Sequence, residues 1–262
     1  MFEHIVLGII QGITEWLPIS SEGVITVIFS ELLGGSVSEA ISYALWLHAG
    51  TALSATVSFR LEILKLIGEI RSIPKRPSNL FRFLLISTAT SALVSIPLLI
   101  VVEKISESAG ISAMVIVGTL MLVTGGIQFA KPNLHERRSD ETSLGDSLIA
   151  GLAQGLSILP GLSRSGLTVS ALLFRHVDKK TALTMSFMMS IPASIAASTY
   201  VLHSGKVILD TGGIIAGLAA FIVGLGTIHG LINIANRMNF GTFTISVGVV
   251  MLAGAAWQLL AS

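Results

Sequence analysis

The sequence predicts an all-α, polytopic membrane protein with six transmembrane helices and two re-entrant helical hairpins in an inverted-topology repeat. Hydrophobic residues make up 52% of the chain, charged residues make up 12%, and the mean hydropathy is +0.83. An ordinary soluble domain carries about a quarter charged residues. Several uncharged stretches are also long enough to cross a bilayer, which takes roughly 20 helical residues. A third observation is one short motif that occurs twice, once in each half of the chain.

Six stretches without Asp, Glu, Lys or Arg are the predicted spans. Alternating segments of about ten residues would indicate a transmembrane β-barrel instead, so the helical class is favoured. The start of the chain lacks a basic region followed by a cleavage site, so no cleavable signal peptide is predicted. There is no cysteine, which excludes disulfides and thiol chemistry. The predicted spans are Ile41–Phe59, Phe83–Val102, Ile111–Ala130, Thr181–His203, Thr211–Asn236 and Phe240–Ser262.

Two further apolar segments, Ile5–Phe29 and Ser147–Phe174, are each broken in the middle by Pro, Ser and Gly. Each half of such a segment is about ten residues, or roughly 15 Å of helix, which reaches only the middle of a bilayer. We therefore expect two hairpins, each entering and leaving by one face. Backbone broken at this depth is tolerated where protein or a water-filled cavity satisfies it. Paired breaks in two halves point to a central binding site.

Three predicted spans follow each hairpin, so the second half is inverted relative to the first. One hairpin then enters from outside and the other from inside, and their turns are expected to meet near the midplane. The predicted organisation is a single integral membrane domain over residues 1–262. One repeat covers about residues 1–130 and the other about residues 145–262.

The basic residues predict the orientation in the cell membrane. Thirteen of the sixteen fall in segments that would be cytoplasmic if both termini lie on the outer face, which is the orientation that the positive-inside rule predicts. Lys104 and Lys206 lie outside in this arrangement, and Arg164 lies within the second broken segment. The basic, amphipathic segment Leu61–Asn79 is expected to lie on cytoplasmic anionic headgroups.

The repeated motif runs from Gln11 to Gly23 and from Gln154 to Gly166, and a helix is expected to begin after each serine-rich turn. The unpaired N–H groups and the dipole at such helix starts favour an anion. Arg164 adds a planar fork suited to phosphate oxygens. Serine hydroxyls can donate to the anion or, when a base activates them, attack it. These features predict phosphate chemistry, which depends mainly on positioning and charge neutralisation.

Structural alternatives exist for the charged and polar residues of these segments. Glu15 is a candidate base or metal ligand, because charges within membrane segments are usually functional. A buried Glu15–Arg164 ion pair that holds the hairpins together is a compatible alternative. His48 is either a packed neutral histidine or a catalytic one. Single serines in membrane helices more often bond a nearby carbonyl or a neighbouring helix.

At these motifs the chain resembles the undecaprenyl-diphosphate phosphatases of the bacitracin-resistance type, over essentially its whole length. The segments that carry the resemblance are Gln11–Ser21, Leu47–Thr51 and Pro160–Thr168. The resemblance implies a membrane enzyme with six spans and two re-entrant hairpins, whose pocket opens to the outer leaflet. It implies removal of the terminal phosphate from a polyprenyl diphosphate, which leaves the monophosphate carrier lipid. By position, the functional residues it implies are Glu15, Ser20, Ser21, Ser163, Arg164, Ser165 and Thr168.

Three departures from the family pattern concern the first motif. Gln11 stands where the family typically has a glutamate, and Val24 stands where it has the histidine usually given acid–base work. Glu22 occupies a position that is commonly small and polar. Either the base is relocated to Glu15, Glu22 or His48, or the chain is a paralogue with altered activity.

The predicted site assigns catalysis, phosphate binding and an auxiliary role to three groups of residues. A divalent cation, Mg²⁺ or Ca²⁺, is the one cofactor that these residues suggest. The partners expected are the polyprenyl diphosphate substrate and membrane lipids, with no nucleic acid, and a homo-oligomer is left open. The catalytic group is Glu15, Ser21, His48 and Arg164; the phosphate-binding group is Ser20, Ser163, Arg164, Ser165, Gly166 and Thr168; Gln11 and Glu22 are candidates for a metal ligand or auxiliary acid.

The main alternative function is a transporter or flippase of a phosphorylated lipid or small anion, because inverted repeats with broken helices are also transporter architecture. An inactive scaffold that keeps the fold is a third reading. Phosphate release in detergent separates the phosphatase from the transporter, because a transporter needs a sealed membrane.

Overall fold

The regular structure is helical throughout the residues that the computed structural model describes: 1–18, 20–72, 77–102, 115, 118, 119, 122, 126, 137–158, 162–205, 210–234, 237 and 239–261. One isolated bridge joins Arg137 to Val177, so the all-α prediction is confirmed for this part of the chain. The continuous helices are α1 Phe2–Thr14, α2 Ser21–Leu33, α3 Val37–Ser58, α4 Arg60–Ser72, α5 Asn79–Val102, α6 Leu144–Leu156, α7 Arg164–Phe174, α8 Lys179–His203, α9 Thr211–Ile234 and α10 Phe240–Ala261.

Three of these helices are long and apolar enough to cross a membrane by length and composition. They are α5 over Asn79–Leu98, α8 and α9. Helix α3 is 22 residues long, but it carries buried polar side chains, including His48 and Ser54. The predicted third span, Ile111–Ala130, lies mostly outside the described residues. The number of six spans therefore stays a prediction.

Each copy of the repeated motif forms two helices separated by a turn, and a serine caps the second helix. The Ser20 hydroxyl accepts a hydrogen bond from the N–H of Gly23 at 3.2 Å. At the matching place, the Ser163 hydroxyl accepts from the N–H of Gly166 at 3.1 Å. A serine in this position satisfies one of the N–H groups that a helix start leaves unpaired. The two motifs therefore build the same kind of helix start.

The chain forms two compact units. The first consists of Met1–Phe81 and Phe187–Asn233, and the second of Arg82–Ser186 and Ile234–Ser262. Each unit therefore combines segments from both halves of the sequence. The predicted single domain with its two repeats stays a prediction.

In the first unit, glycines allow α1 and α3 to approach α9 closely. A Cβ atom on Gly8 would lie 2.2 Å from the carbonyl oxygen of Ala216, and one on Gly50 would lie 2.2 Å from that of Gly217. Close backbone approach of this kind is how small residues stabilise helix pairs in membranes. The apolar core beside these contacts consists of Leu7, Ile25, Phe29, Ala40, Tyr43, Ala44, Leu47 and Ala216.

Helix α9 has two pairs of glycines four residues apart, Gly213 with Gly217 and Gly226 with Gly230. Trp46 packs against the first pair. Trp46 donates from Nε1 to the carbonyl oxygen of Gly213 at 3.0 Å, and its ring lies 3.8 Å from the Cβ position of Gly217. For Gly226 and Gly230, no described atom lies within 4 Å of the Cβ position. The spacing therefore coincides with packing only at the first pair among the described residues.

In the second unit, α6 approaches α5 in a similar way. A Cβ atom on Gly151 would lie 2.6 Å from the carbonyl oxygen of Ser87, and one on Gly155 would lie 3.0 Å from that of Ser91. Gln154 also donates from Nε2 to the Ser91 hydroxyl at 3.3 Å. Glycines therefore allow α6, like α1, to lie directly against a long helix.

A buried carboxylate, that of Asp146, lies where α6 begins and α7 ends. Asp146, whose side chain is fully buried, accepts both Nη atoms of Arg137 at 2.9 and 3.0 Å and Nε of Arg175 at 2.8 Å. Burial raises the pKa of Asp146, but the hydrogen bonds from Arg137, from the backbone and hydroxyl of Ser143 and from Arg175 outweigh burial and hold the pKa well below its usual range. Asp146 thus ties the start of α6 to the residue that follows α7.

Gly50→Ala is expected to destabilise the protein, because the added Cβ would overlap the backbone of α9. Overpacking of this kind typically costs about 1–3 kcal/mol, measurable as a lower thermal unfolding midpoint in detergent. Gly226→Ala is the matched control, since no described atom lies near its Cβ position. Equal unfolding midpoints for the two variants would contradict the close approach of α3 and α9.

Candidate active site

Glu15, which follows α1 directly, lies at the centre of a buried polar cluster in the first unit. Its Oε2 atom accepts a hydrogen bond from Ser21 Oγ at 2.7 Å and one from Gln11 Nε2 at 3.0 Å. His48 Nε2 lies 3.3 Å from the same oxygen. All four residues are buried. The Ser21 hydroxyl and the Gln11 amide therefore donate to the same carboxylate oxygen that faces the His48 ring.

The helices bring these side chains together for separate local reasons. Gln11 and Glu15 are four residues apart and therefore share one face of a helical turn. Ser21 is the first residue of α2, directly after the turn. His48 comes from the middle of α3, and α1, α2 and α3 pack against one another. A base and a hydroxyl at hydrogen-bond distance are the two parts that an activated nucleophile requires.

The His48 ring is oriented by its own helix. Nδ1 lies 2.8 Å from the carbonyl oxygen of Ala44. Because a carbonyl oxygen only accepts hydrogen bonds, Nδ1 must carry the hydrogen. Nε2 is consequently the atom that faces the carboxylates. Glu22 presents a second carboxylate to the ring, with Oε1 4.0 Å from Nε2 of His48. The Glu22 side chain is 36% exposed.

Five of the six predicted phosphate-binding residues gather at the start of α7 in the second unit, whereas Ser20 caps α2 in the first unit. Ser163 caps the helix, and its hydroxyl lies 3.3 Å from that of Ser165. Arg164 is the first helical residue and is half-buried. Thr168 donates to the carbonyl oxygen of Arg164 at 2.8 Å, and its hydroxyl lies 2.5 Å from that of Ser186. Gly166, whose N–H bonds the cap, completes the group.

The structure therefore brings the predicted residues into two groups, one in each unit. The meeting of the two motifs and the alternative ion pair between Glu15 and Arg164 stay predictions. Sequence reasoning missed Ser186, the partner of Thr168. The available signal was a series of serines four residues apart along α8, all of them buried: Ser186, Ser190, Ser194 and Ser198.

The described residues do not by themselves build a cation site. Within the ranges that the structure describes, no group of three or more His, Asp or Glu side chains is arranged to hold a metal ion. Gln11 is fully buried, and its free amide oxygen, Oε1, has no hydrogen-bond partner there. One amide oxygen beside a carboxylate that already receives several donors falls short of the ligand set that Mg²⁺ or Ca²⁺ requires. The cation requirement stays a prediction.

The chain is similar over most of its length to one protein family and to proteins of several organisms. A sequence model of the family described as "Bacitracin resistance protein BacA" matches residues 4–253. A Methanococcoides burtonii protein named undecaprenyl-diphosphatase is 41% identical over 254 residues, which cover 95% of this chain and 96% of that protein. Proteins with the same name are 35% identical in Haloarcula marismortui, over 95% of this chain and 96% of that protein, and 32% identical in Sulfurisphaera tokodaii, over 99% of both.

Proposed function

We propose that this chain, which belongs to the bacitracin resistance protein BacA family, is a phosphatase that removes the terminal phosphate from an undecaprenyl-type polyprenyl diphosphate. The observation that carries the proposal is the 2.7 Å hydrogen bond from the Ser21 hydroxyl to Glu15, with His48 on the same carboxylate oxygen. The relatives named undecaprenyl-diphosphatase support it over nearly the whole chain. Family membership and three apolar helices make the chain a membrane protein.

In the proposed first step, Ser21 Oγ attacks the terminal phosphorus and gives its proton to Glu15. The phosphoanhydride bond breaks, its electron pair stays on the leaving polyprenyl phosphate, and His48 Nε2 protonates that oxygen. General acid–base catalysis of this kind contributes about 10²–10⁴-fold.

In the proposed second step, water attacks the phosphoserine. His48 Nε2 accepts a proton from the water, and Glu15 returns its proton to Ser21 Oγ as the phosphorus–oxygen bond breaks. Inorganic phosphate leaves, and all three side chains are restored. The sum is one diphosphate and one water converted to one polyprenyl monophosphate and one phosphate.

The start of α7 is proposed to bind the diphosphate. Arg164 and the backbone N–H groups of the first helical turn supply positive charge and donors, as helix starts do for anions. Ser20 and Ser163 accept hydrogen bonds as helix caps, and their own O–H groups, together with that of Ser165, are proposed to donate to phosphate oxygens. Thr168, held by Ser186, is proposed to fix the orientation of the turn.

Phosphate release from detergent-solubilised polyprenyl diphosphates tests the proposal. The wild type is expected to release phosphate from a C55 diphosphate, and comparison with C15 and C20 substrates would define the chain length it accepts. Ser21→Ala should release almost none, while Ser38→Ala, an exposed serine of α3, should match the wild type. No release by the wild type would favour the transporter. Chelation with EDTA and restoration of Mg²⁺ or Ca²⁺ in the same assay tests the cation requirement.

The packing of the two motif segments supports the proposed inverted repeat. Gly8 and Gly151 lie three residues before Gln11 and Gln154, respectively. Each glycine lies close to a backbone carbonyl oxygen of a long helix from the other half of the sequence. Gly8 contacts α9 in this way, and Gly151 contacts α5. Equivalent contacts at equivalent positions are expected when two halves share one fold. Six spans, two re-entrant hairpins and both termini outside are therefore our proposal for the topology.

Cysteines introduced at Ser78 and Ser204, both exposed, test this topology in a chain that has no cysteine of its own. An impermeant thiol reagent applied to intact cells is expected to label the Ser204 variant and leave the Ser78 variant unlabelled, because the positive-inside rule predicts that the basic segment around Ser78 is cytoplasmic. Both should react after permeabilisation. Labelling of Ser78 alone in intact cells would reverse the orientation.

His48 is proposed to take the place of the family histidine. His48→Ala is expected to lower turnover partially, and Val24→His to raise it by restoring an imidazole on α2. The two changes together should recover more activity than His48→Ala alone, measured as kcat for phosphate release. Unchanged turnover in His48→Ala would make His48 a packing residue.

A further inference from the structure

The side-chain amide of Gln11 is buried, and one of its two polar atoms is unused. Nε2 donates a hydrogen bond to Glu15 Oε2 at 3.0 Å. The amide oxygen, Oε1, has no hydrogen-bond partner in the part of the chain that the structure describes, although the side chain is fully buried. A buried acceptor without a donor destabilises a folded protein, so an oxygen in this state calls for a ligand or a functional role.

The hydrogen bond to Glu15 determines which end of the amide is unused. Oε2 of Glu15 also accepts the Ser21 hydroxyl at 2.7 Å, so an amide turned by half a rotation would place its oxygen against an atom that already serves as an acceptor. An amide nitrogen and its oxygen are about 2.3 Å apart, and Oε1 of Gln11 therefore lies within about 5.5 Å of the oxygen that holds the proposed nucleophile. The unused oxygen belongs to the same cluster as Ser21.

The chemistry of an amide oxygen restricts what it can bind. It accepts hydrogen bonds and carries no hydrogen of its own. The oxygens of an ionised phosphate also only accept, so its partner must be an O–H or N–H group. In the proposed reaction the Ser21 hydroxyl is engaged by Glu15, and the O–H donor that enters the cluster is the water of the second step. Glutamine side chains orient the attacking water in other phosphoryl-transfer enzymes.

We infer that Gln11 is a positioning residue for this water: Oε1 accepts one of its hydrogens, so that a lone pair of the water oxygen points at the phosphorus carried by Ser21. The inference rests on the proposed function and concerns its second step alone. His48 takes the other hydrogen of the water, and the new phosphorus–oxygen bond forms as the bond to Ser21 Oγ breaks. Glu15 returns its proton to that oxygen. Gln11 neither gives nor takes a proton, so its contribution is geometric.

Gln154 provides a matched control, because it occupies the same position in the second motif. Its side chain is also buried, and its Oε1 likewise lacks a partner among the described residues. Its Nε2 donates to the Ser91 hydroxyl at 3.3 Å, and Ile158 stands four residues later, where the first motif has Glu15. Removing the Gln154 amide therefore reproduces the loss of a buried amide at a position that has no role in the proposed steps.

Rapid-quench kinetics test the inference. Gln11→Met removes the amide oxygen and keeps an unbranched side chain, and Gln11→Leu is a second variant in case the first folds poorly. With a polyprenyl diphosphate that carries ³²P in its terminal phosphate, Gln11→Met should give a burst of polyprenyl monophosphate and retain ³²P on Ser21. Phosphate release should then be about 10²-fold slower than in the wild type, the size of loss that a misplaced reactant causes. Gln154→Met should release phosphate at the wild-type rate and retain no additional label.

Exchange of ¹⁸O between labelled inorganic phosphate and water reports the second step alone, because it needs no polyprenyl diphosphate. Gln11→Met should slow this exchange by the same factor as phosphate release. Equal slowing of both steps without retained label would overturn the inference, since Gln11 would then act only through Glu15. Recovery of the wild-type rate at raised Mg²⁺ or Ca²⁺ would also overturn it, because Oε1 would then be a cation ligand. A wild type that exchanges oxygen but releases no phosphate from a polyprenyl diphosphate would contradict the proposed function, while the exchange rate of Gln11→Met would still decide the role of Gln11.

Discussion

Glu15→Gln is expected to abolish phosphate release while the polyprenyl diphosphate still binds. Gln has the same size and can still accept a hydrogen bond from Ser21, but it cannot take the proton of the attacking hydroxyl. The Glu15 carboxylate also lies against Nε2 of His48. The change therefore removes both the proposed base and the carboxylate beside the His48 ring. General acid–base groups contribute about 10²–10⁴-fold, so the loss in a single-turnover assay should reach at least this range.

Two controls separate loss of the base from loss of the fold. Equilibrium binding of the diphosphate by Glu15→Gln should stay within a few-fold of the wild type, about 1 kcal/mol at most. Glu39→Gln removes an exposed carboxylate near the start of α3 that belongs to the helix cap and should leave turnover intact. Phosphate release by Glu15→Gln at the wild-type rate would shift the base to Glu22 or His48.

The part of the site that sequence could predict is the part set by local spacing. Gln11 and Glu15 lie one helical turn apart, and Ser21 follows the turn, so a helix, a break and a second helix suffice to place them near one another. The matching caps at Ser20 and Ser163 follow from the same local pattern.

Contacts between distant segments could not be predicted in this way. The sequence left His48 open as a packed or a catalytic residue, because nothing in its periodicity says which helix α3 packs against. The structure places Nε2 on the Glu15 carboxylate. The hydrogen bond between Thr168 and Ser186 and the cluster around Asp146 likewise join residues far apart in sequence. The close approach of Gly50 to the backbone of Gly217 on α9 also joins residues far apart in sequence.

The departures from the family pattern have a common physical explanation in the first unit. Gln11 is fully buried and donates to Glu15, whereas a second ionised carboxylate there would repel it. Val24 offers no imidazole, but His48 reaches the same carboxylate from α3. Glu22 brings a second carboxylate oxygen to 4.0 Å from the same ring nitrogen. We therefore expect activity to depend on His48 and Glu22 together, so that the double variant loses less than the two single losses combined.

Arg164→Lys is expected to lose most activity although it keeps the positive charge. Arginine presents a rigid, planar set of donors that matches two phosphate oxygens at once, whereas the lysine ammonium is a compact point charge on a flexible chain. Arg164 begins α7, directly after the Ser163 cap, so its side chain starts at the helix end whose N–H groups are proposed to bind the diphosphate. A positioned donor to developing charge is worth about 10²–10³-fold in kcat, and a loss of about that size is expected in kcat for the C55 diphosphate.

The matched control for this change is Arg138→Lys, since Arg138 is exposed in the second unit and should tolerate lysine without loss. Thermal unfolding of Arg164→Lys then separates two roles of the guanidinium. If the midpoint is unchanged while kcat falls, Arg164 acts on the diphosphate, because a structural ion pair would lose stability when its geometry is disturbed. If kcat is unchanged as well, the planar fork is not used, and Arg164 is reduced to a point charge whose position any cation can fill.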